Sequence, residues 1–463
     1  MASSLQKLKT WWKQPCGVGF LLALAIPLMV STVCYSIMQF VDRLFLFQHS
    51  EMEAGAIASV GTFVWALLSL PFGMVGYVST FIAQYRGAEQ WGRMGRATTH
   101  AIYVCILSIP LILSPVLFAE PLFLWLGHSP ELAAMESRCF GIYALSGIGM
   151  VASGAMEGVL IGLERNRPIM YANIIATVVN LALDPLMIFG WGWIPEMGFL
   201  GASWATVIGM WVKFTVTLWA VLKQPELSAF QWQRAWTLDF PFLLRFVYYG
   251  FPSGFQWAIE GGAMAYFVFV MGRLGEQYLA ATSLTFSVNM LAFVPIYGLG
   301  MGLSAVIGHQ LGRDDRQLAN RAVRSGLTVA LGFTALFAAV YLLFPGMLLL
   351  LHQNDGPEFQ IVSAIVRRFL FFVAIYCLLD AFQITMVSVL KGAGDTWFVT
   401  ASIAVTSTIF VGAGMFLESQ SSDADAAADR WWLMLTCWLS SLAVIYGWRV
   451  WQGKWLEMRV IEG

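Results

Sequence analysis

RPIMYANIIATVVNLALDPLMIFG, from Arg167 to Gly190, is apolar over the length of a bilayer crossing and still holds Asn180 and Asp184. A transmembrane helix needs roughly 20 apolar residues, and an ionised carboxylate inside one is costly unless something pairs with it. Asn180 and Asp184 are four residues apart, so a helix stacks them on one face. Pro185 weakens the backbone ladder beside them. Oxygen ligands at a loosened turn suit a cation or a proton. Three more acids, Asp42, Glu260 and Asp380, sit in stretches of the same kind.

The rest of the chain agrees. Of its 463 residues 59% are apolar and only 11% charged, and the mean hydropathy of +0.71 is too high for a soluble fold of this length. The spacing predicts an all-α polytopic membrane protein of about twelve transmembrane helices. Basic residues fall in alternate loops: Arg86, Arg93 and Arg96; Arg165 and Arg167; Lys223, Arg234 and Arg245; Arg313, Arg316, Arg321 and Arg324; Lys391; and Arg449, Lys454 and Arg459. The intervening loops carry Glu51 and Glu53, Glu120 and Glu131, Glu196, Asp355 and Glu358, and the run SSDADAAAD ending at Asp429 instead. By the positive-inside rule the basic loops and both termini face the cytoplasm, across the cell (inner or plasma) membrane. Net charge is -1, which gives no reason to expect a nucleic-acid partner. The six cysteines lack paired or metal-ligand spacing. With no HExxH and no GxSxG motif, no enzyme is expected.

The two halves echo each other. Pro27 answers Pro252 at an offset of 225, PFGMVGYVSTFIAQYRG from Pro71 answers PIYGLGMGLSAVIGHQLG from Pro295 at 224, and the segment at Gly162 answers that at Gly392 at 230. Three echoes in one order indicate a duplicated six-helix unit, a transporter architecture. The expected division is an N-terminal lobe over 1–222, a cytoplasmic linker over 223–240 and a C-terminal lobe over 241–463. In the second half Tyr376 and Asp380 are again four apart, and Gly261 and Gly262 after Glu260 predict the close approach of another helix. At the repeat offsets Glu260 maps to Tyr35 and Asp380 to Met150, so the duplication did not copy these acids. Their asymmetry favours specialised chemistry over packing.

Other polar residues read more plainly. Lys213 is expected to snorkel to the cytoplasmic surface, Glu157 to pair with Arg165 or Arg167, and Arg367 and Arg368 to anchor against the outer acidic loop. Asp42, followed by Arg43, has a surface ion pair as its plain alternative. Gln256, Trp257, Phe286, Asn289 and Met290, near Glu260 in sequence or on the next helix, are the candidate cavity residues.

GLERNRPIMYANIIATVVNLALDPLMIFGWG with GFLGASWATVIG, and VLKGAGDTW in the second half, resemble the signatures of the multidrug and toxic compound extrusion (MATE) transporters. The resemblance implies a V-shaped pair of six-helix lobes. It implies an antiporter, driven by sodium or protons, that exports organic, cationic or amphiphilic compounds, works as a monomer and needs no other cofactor. It matches Asp42, Tyr143, Asn180, Asp184 and Thr206 to a cation or proton site of the first lobe, and Glu260, Tyr376 and Asp380 to a cation site, with sodium as its metal, in the second. The alternative cargo on the same fold is a lipid-linked precursor or a specific metabolite. Sodium and proton coupling stay equally open.

Overall fold

The structure, a computed structural model, describes Trp12 and residues 14–349, 357–420 and 423–462. Residues 1–11 and 463, at the ends of the expected lobes, and Asp355, in an expected acidic loop, lie outside that set. The long elements are helices: α1 (Val18–His49), α2 (Glu51–Gly76, continued as Val78–Gly87), α3 (Trp91–Leu113), α4 (Pro130–Gly162), α5 (Arg167–Ile188), α6 (Phe199–Leu222), α7 (Phe240–Leu274), α8 (Glu276–Gly312), α9 (Arg316–Leu343), α10 (Pro357–Ala393), α11 (Thr396–Ser419) and α12 (Ala424–Trp451). Among the described residues, eleven are long and apolar enough to cross a membrane. The other, α7, has the length at 35 residues and is diluted by Gln256, Glu260 and the glycines after it. Side chains start several of these helices. Ser50, Ser129 and Asp315 accept the backbone N–H groups of Glu53, Leu132 and Leu318 at 3.5, 3.4 and 2.8 Å, satisfying donors that a first turn leaves open.

The chain divides into two compact units, and α1 and α7 each divide with it. The first unit holds Val30–Phe255 with the chain from Val460, and the second holds Gln256–Arg459 with the chain up to Met29. The switch falls two residues after Pro27 in α1 and three after Pro252 in α7. A proline inside a helix removes one hydrogen bond and permits a bend.

Inside each unit the exchanged half-helix is seated on glycine. In the first unit Gly73 of α2 lies against the Gly254 backbone of α7, and Gly254 against the Leu70 carbonyl, so a Cβ at either would collide with main chain. In the second unit Gly298 of α8 lies against α1, where a Cβ would sit 2.7 Å from the Met29 nitrogen. Gly73 and Gly298, like Met29 and Gly254, are 225 residues apart. The duplication therefore copied a contact as well as a helix order.

The cores differ. That of the second unit is aromatic: Phe369 stacks on Trp432 at 4.7 Å, Phe267 meets Trp432 edge-on at 5.3 Å, and Phe410 stacks on Trp438 at 5.0 Å. That of the first unit has small residues down α4. Gly154, Gly158 and Gly162 admit Phe72, Val78 and Ile82, and polar groups are buried among them. Arg368 bridges Asp425 at 2.6 Å and Asp429 at 2.9 Å, the anchoring role expected of it.

Candidate functional site

In the first unit α1, α4, α5 and α6 bring Asp42, Tyr143, Asn180, Asp184 and Thr206 into one cluster. Asn180 Nδ2 donates to Asp184 Oδ1 at 3.4 Å, and the Thr206 hydroxyl contacts Asp42 Oδ2 at 3.3 Å and the Ala202 carbonyl at 3.0 Å. Asp42 is also within hydrogen-bonding reach of Asp184 and Asn180, and Tyr143 of Thr206. Small residues allow this. Gly201 lets α6 meet the Met187 backbone of α5, and Gly209 leaves room for the Asn180 side chain. Asp184 and Asn180 are 0% exposed and Asp42 is 2% exposed, which excludes the surface ion pair with Arg43, itself exposed. Tyr35 also faces Asp42, and Gln39 donates to its hydroxyl at 3.1 Å. Tyr35 is the residue that Glu260 maps to, so both halves put a polar side chain at that place.

Ionised carboxylates only accept hydrogen bonds, so Asp42 and Asp184 can touch only with a proton or a cation between them. Asp42 Oδ1, Asn180 Oδ1 and Asp184 Oδ2 are buried and have no hydrogen-bond partner. Three inward-facing acceptors without donors form an arrangement that a positive charge completes.

The second-unit group is looser. Asp380 of α10 is within electrostatic reach of Tyr376 on its own helix and of Glu260 of α7, and Tyr297 of α8 and Tyr446 of α12 are within reach of Glu260. Glu260 and Asp380 are half-buried and Tyr376 is buried. Gln256 bonds to Glu260 and keeps its Oε1 without a partner. Two expectations change. Gly261 and Gly262 have open space beside them, so among the described residues no helix makes the close approach expected there. Lys391, expected in a loop, is in the last turn of α10 and within charge range of Glu260, because the helix runs on to Ala393. Of the cavity candidates, Trp257 meets Tyr297 edge-on at 5.1 Å, and Phe286 packs on Trp432 at 5.4 Å. Asn289 is buried and Met290 is exposed.

Lys213 does not snorkel. Its Nζ is 3.0 Å from Glu157 Oε1, which also accepts from Asn173 Nδ2 at 3.0 Å, and all three residues are buried. Of the partners expected for Glu157, Arg165 or Arg167, Arg165 pairs with Glu226 at 3.0 Å, and Glu157 takes Lys213 instead of either. Glu157, Asn173 and Lys213 come from three helices, so no local spacing announced them.

Two repeated helical units, with acids set inside helices long enough to cross a membrane, have the architecture of a membrane transporter. Residues 27–186 and 252–413 match the profile of the MatE family, starting at Pro27 and Pro252, and together cover more than half of the chain. The chain belongs to the MATE family of membrane transporters. It is 28% identical over 385 residues to the multidrug resistance protein PmpM of Pseudomonas aeruginosa, covering 81% of this chain and 78% of that one. It is 25% identical over 450 residues to the multidrug resistance protein NorM of Vibrio cholerae, covering 94% and 95%. Its fold is similar to that of the Vibrio cholerae MATE transporter VcmN, with a TM-score of 0.84 at 19% identity over 95% of this chain and 98% of that one. The eukaryotic MATE transporter AtDTX14 gives 0.83 at 17% identity over 95% and 96%.

Proposed function

We propose that this protein is a cation-coupled antiporter of the cell membrane that expels organic, cationic or amphiphilic compounds by alternating access, and that the Asp42–Asp184 cluster is its coupling site. One observation carries this reading: two fully buried carboxylates within hydrogen-bonding reach of each other, with one oxygen of each and one of Asn180 left without a partner. Filling the cluster with a proton or sodium ion removes the repulsion that otherwise drives α1 from α5. α1 bears Asp42 beyond Pro27 and the point where it changes units, so a shift of its outer part is transmitted along the helix. Glu260 and Asp380, half-buried beside open space, attract a cationic solute by charge.

The reading is tested with purified protein in liposomes, by following export of a cationic dye under separately imposed sodium and proton gradients. Export driven by one gradient and lost in Asp184→Asn supports it. Wild-type protein indifferent to both gradients refutes ion coupling. Selective movement of a lipid-linked precursor instead of dye would favour the other cargo.

A further inference from the structure

Another buried acid lies on the face of α4 that carries Tyr143 of the cluster. Glu136 is 0% exposed, and its Oε2 is 2.6 Å from His128 Nδ1. Its Oε1 is buried with no hydrogen-bond partner. His128 is held in the turn before α4: its backbone N–H donates to the Phe123 carbonyl at 3.2 Å and its ring stacks on Phe123 at 5.8 Å. The imidazole keeps 29% of its side-chain surface exposed, so it reaches water where Glu136 cannot.

From Glu136 polar groups occupy successive turns towards the cluster. Cys139 is three residues on and Tyr143 seven, which keeps all three on one face of α4 over a rise of about 10 Å. Cys139 Sγ meets Ser203 Oγ of α6 at 3.3 Å, and Thr206, three residues beyond Ser203, contacts Asp42. Glu136, Cys139, Ser203, Tyr143 and Thr206 are all buried. Among the described residues, the titratable groups shown to interact with Glu136 are His128 and, on its own helix, Cys139. Neighbouring α2, the short helix Ala119–Trp125 and α6 bring Phe63, Phe123 and Ser203 to this end, none of which titrates.

A clasp at a helix end has no use for an open acceptor in its interior. His49 makes such a clasp, pairing with Glu53 and Glu196 at 2.9 Å each, with Glu196 66% exposed. Glu136 is buried and half-satisfied, the state of a carboxylate that gains and loses a proton.

We propose that His128 and Glu136 collect protons from the outer aqueous phase and deliver them to the Asp42–Asp184 cluster. Water-borne acid protonates the imidazole. The Nδ1–H bond then breaks as an O–H bond forms on Glu136 Oε2, leaving neutral imidazole and a neutral carboxylic acid. The Cys139 thiol and the hydroxyl groups of Ser203, Tyr143 and Thr206, each taking one proton and giving one, the Ser203 hydroxyl turning from the Phe199 carbonyl to which it donates at 2.8 Å, pass the charge to the Asp42 carboxylate with no change of oxidation state. The inference rests on the proposed coupling site and commits its ion to the proton.

The test uses full-length protein in liposomes, with a pH dye inside and ethidium as the transported cation. Glu136→Gln is expected to slow proton uptake on the order of tenfold or more. Ethidium affinity and the thermal unfolding midpoint should stay at wild-type values, and Glu136→Asp should restore part of the rate. His128→Gln is expected to flatten the dependence of rate on external pH, a change that a loosened helix end would not produce. Glu136→Gln with the wild-type rate at every external pH, while Asp184→Asn is inactive, would overturn this inference alone. A rate lost only in step with folded protein, or wild-type transport driven by sodium without proton uptake, would overturn it as well. Wild-type protein indifferent to both gradients would overturn the coupling site with it.

Discussion

The two units solve the problem of a buried acid in opposite ways. In the first, Asp42 and Asp184 are buried, three acceptor oxygens lack donors, and Arg43, which is within charge range of Asp42, is itself exposed. In the second, Glu260 and Asp380 are half-buried and Glu260 has Lys391 within charge range. The first arrangement waits for a mobile charge from outside. The second contains one of its own, so duplicated halves with matching helices and matching glycine contacts have diverged in electrostatics. Coupling is thereby expected in the first unit and solute attraction in the second.

Separating those roles gives the largest expected effect. Asp184→Asn should reduce gradient-driven dye export to the level of empty liposomes, whereas Asp380→Asn should keep its response to the gradient and lose dye affinity. Equal loss of the gradient response in both would erase the distinction. Next comes the buried pair of the first unit. Lys213→Met strands Glu157 and should cost about 3–5 kcal/mol in unfolding, most of it regained in the double variant with Glu157→Gln. Thermal melts in detergent decide this, and an unchanged single variant would show that the pair is not desolvated.

Smaller changes sharpen the contrast. Lys391→Gln should tighten dye binding about tenfold, since one charge at about 10 Å and an effective dielectric near 20 is worth about 1.5 kcal/mol. An equilibrium binding titration reads it, and weaker binding would mean that Lys391 supports the site instead of competing for it. Gly73→Ala and Gly298→Ala should each cost about 1–3 kcal/mol by forcing a methyl into main chain. Similar losses in unfolding scans would show that the two seats are equivalent, and a loss in one alone would break the internal symmetry.

The helices, the duplication and the pair Asn180–Asp184 were legible because each is local: an apolar run, a repeated proline, two polar residues four apart on one helix. The exchange of half-helices was not, since Pro27 and Pro252 mark where α1 and α7 can bend and carry no record of what each half will meet. Arg43 beside Asp42 suggested a surface pair that the side-chain directions rule out. Lys213 and Glu157 find each other from separate helices, and Lys391 reaches Glu260 only because α10 runs to Ala393. Glu136 is inconspicuous in PELAAMESRCF, where Glu131 and Arg138 make it look like one more charge at a wet helix end. Depth comes from tertiary packing, and no spacing rule supplies it.

The most direct measurement is proton- or sodium-driven export of a cationic dye from liposomes holding wild-type protein or Asp184→Asn, matched for folded protein by thermal melting. The expected result is transport in the wild type under one of the two gradients and none in Asp184→Asn. Asp184→Asn exporting dye at the wild-type rate under the same gradient would contradict a coupling ion seated between Asp42 and Asp184.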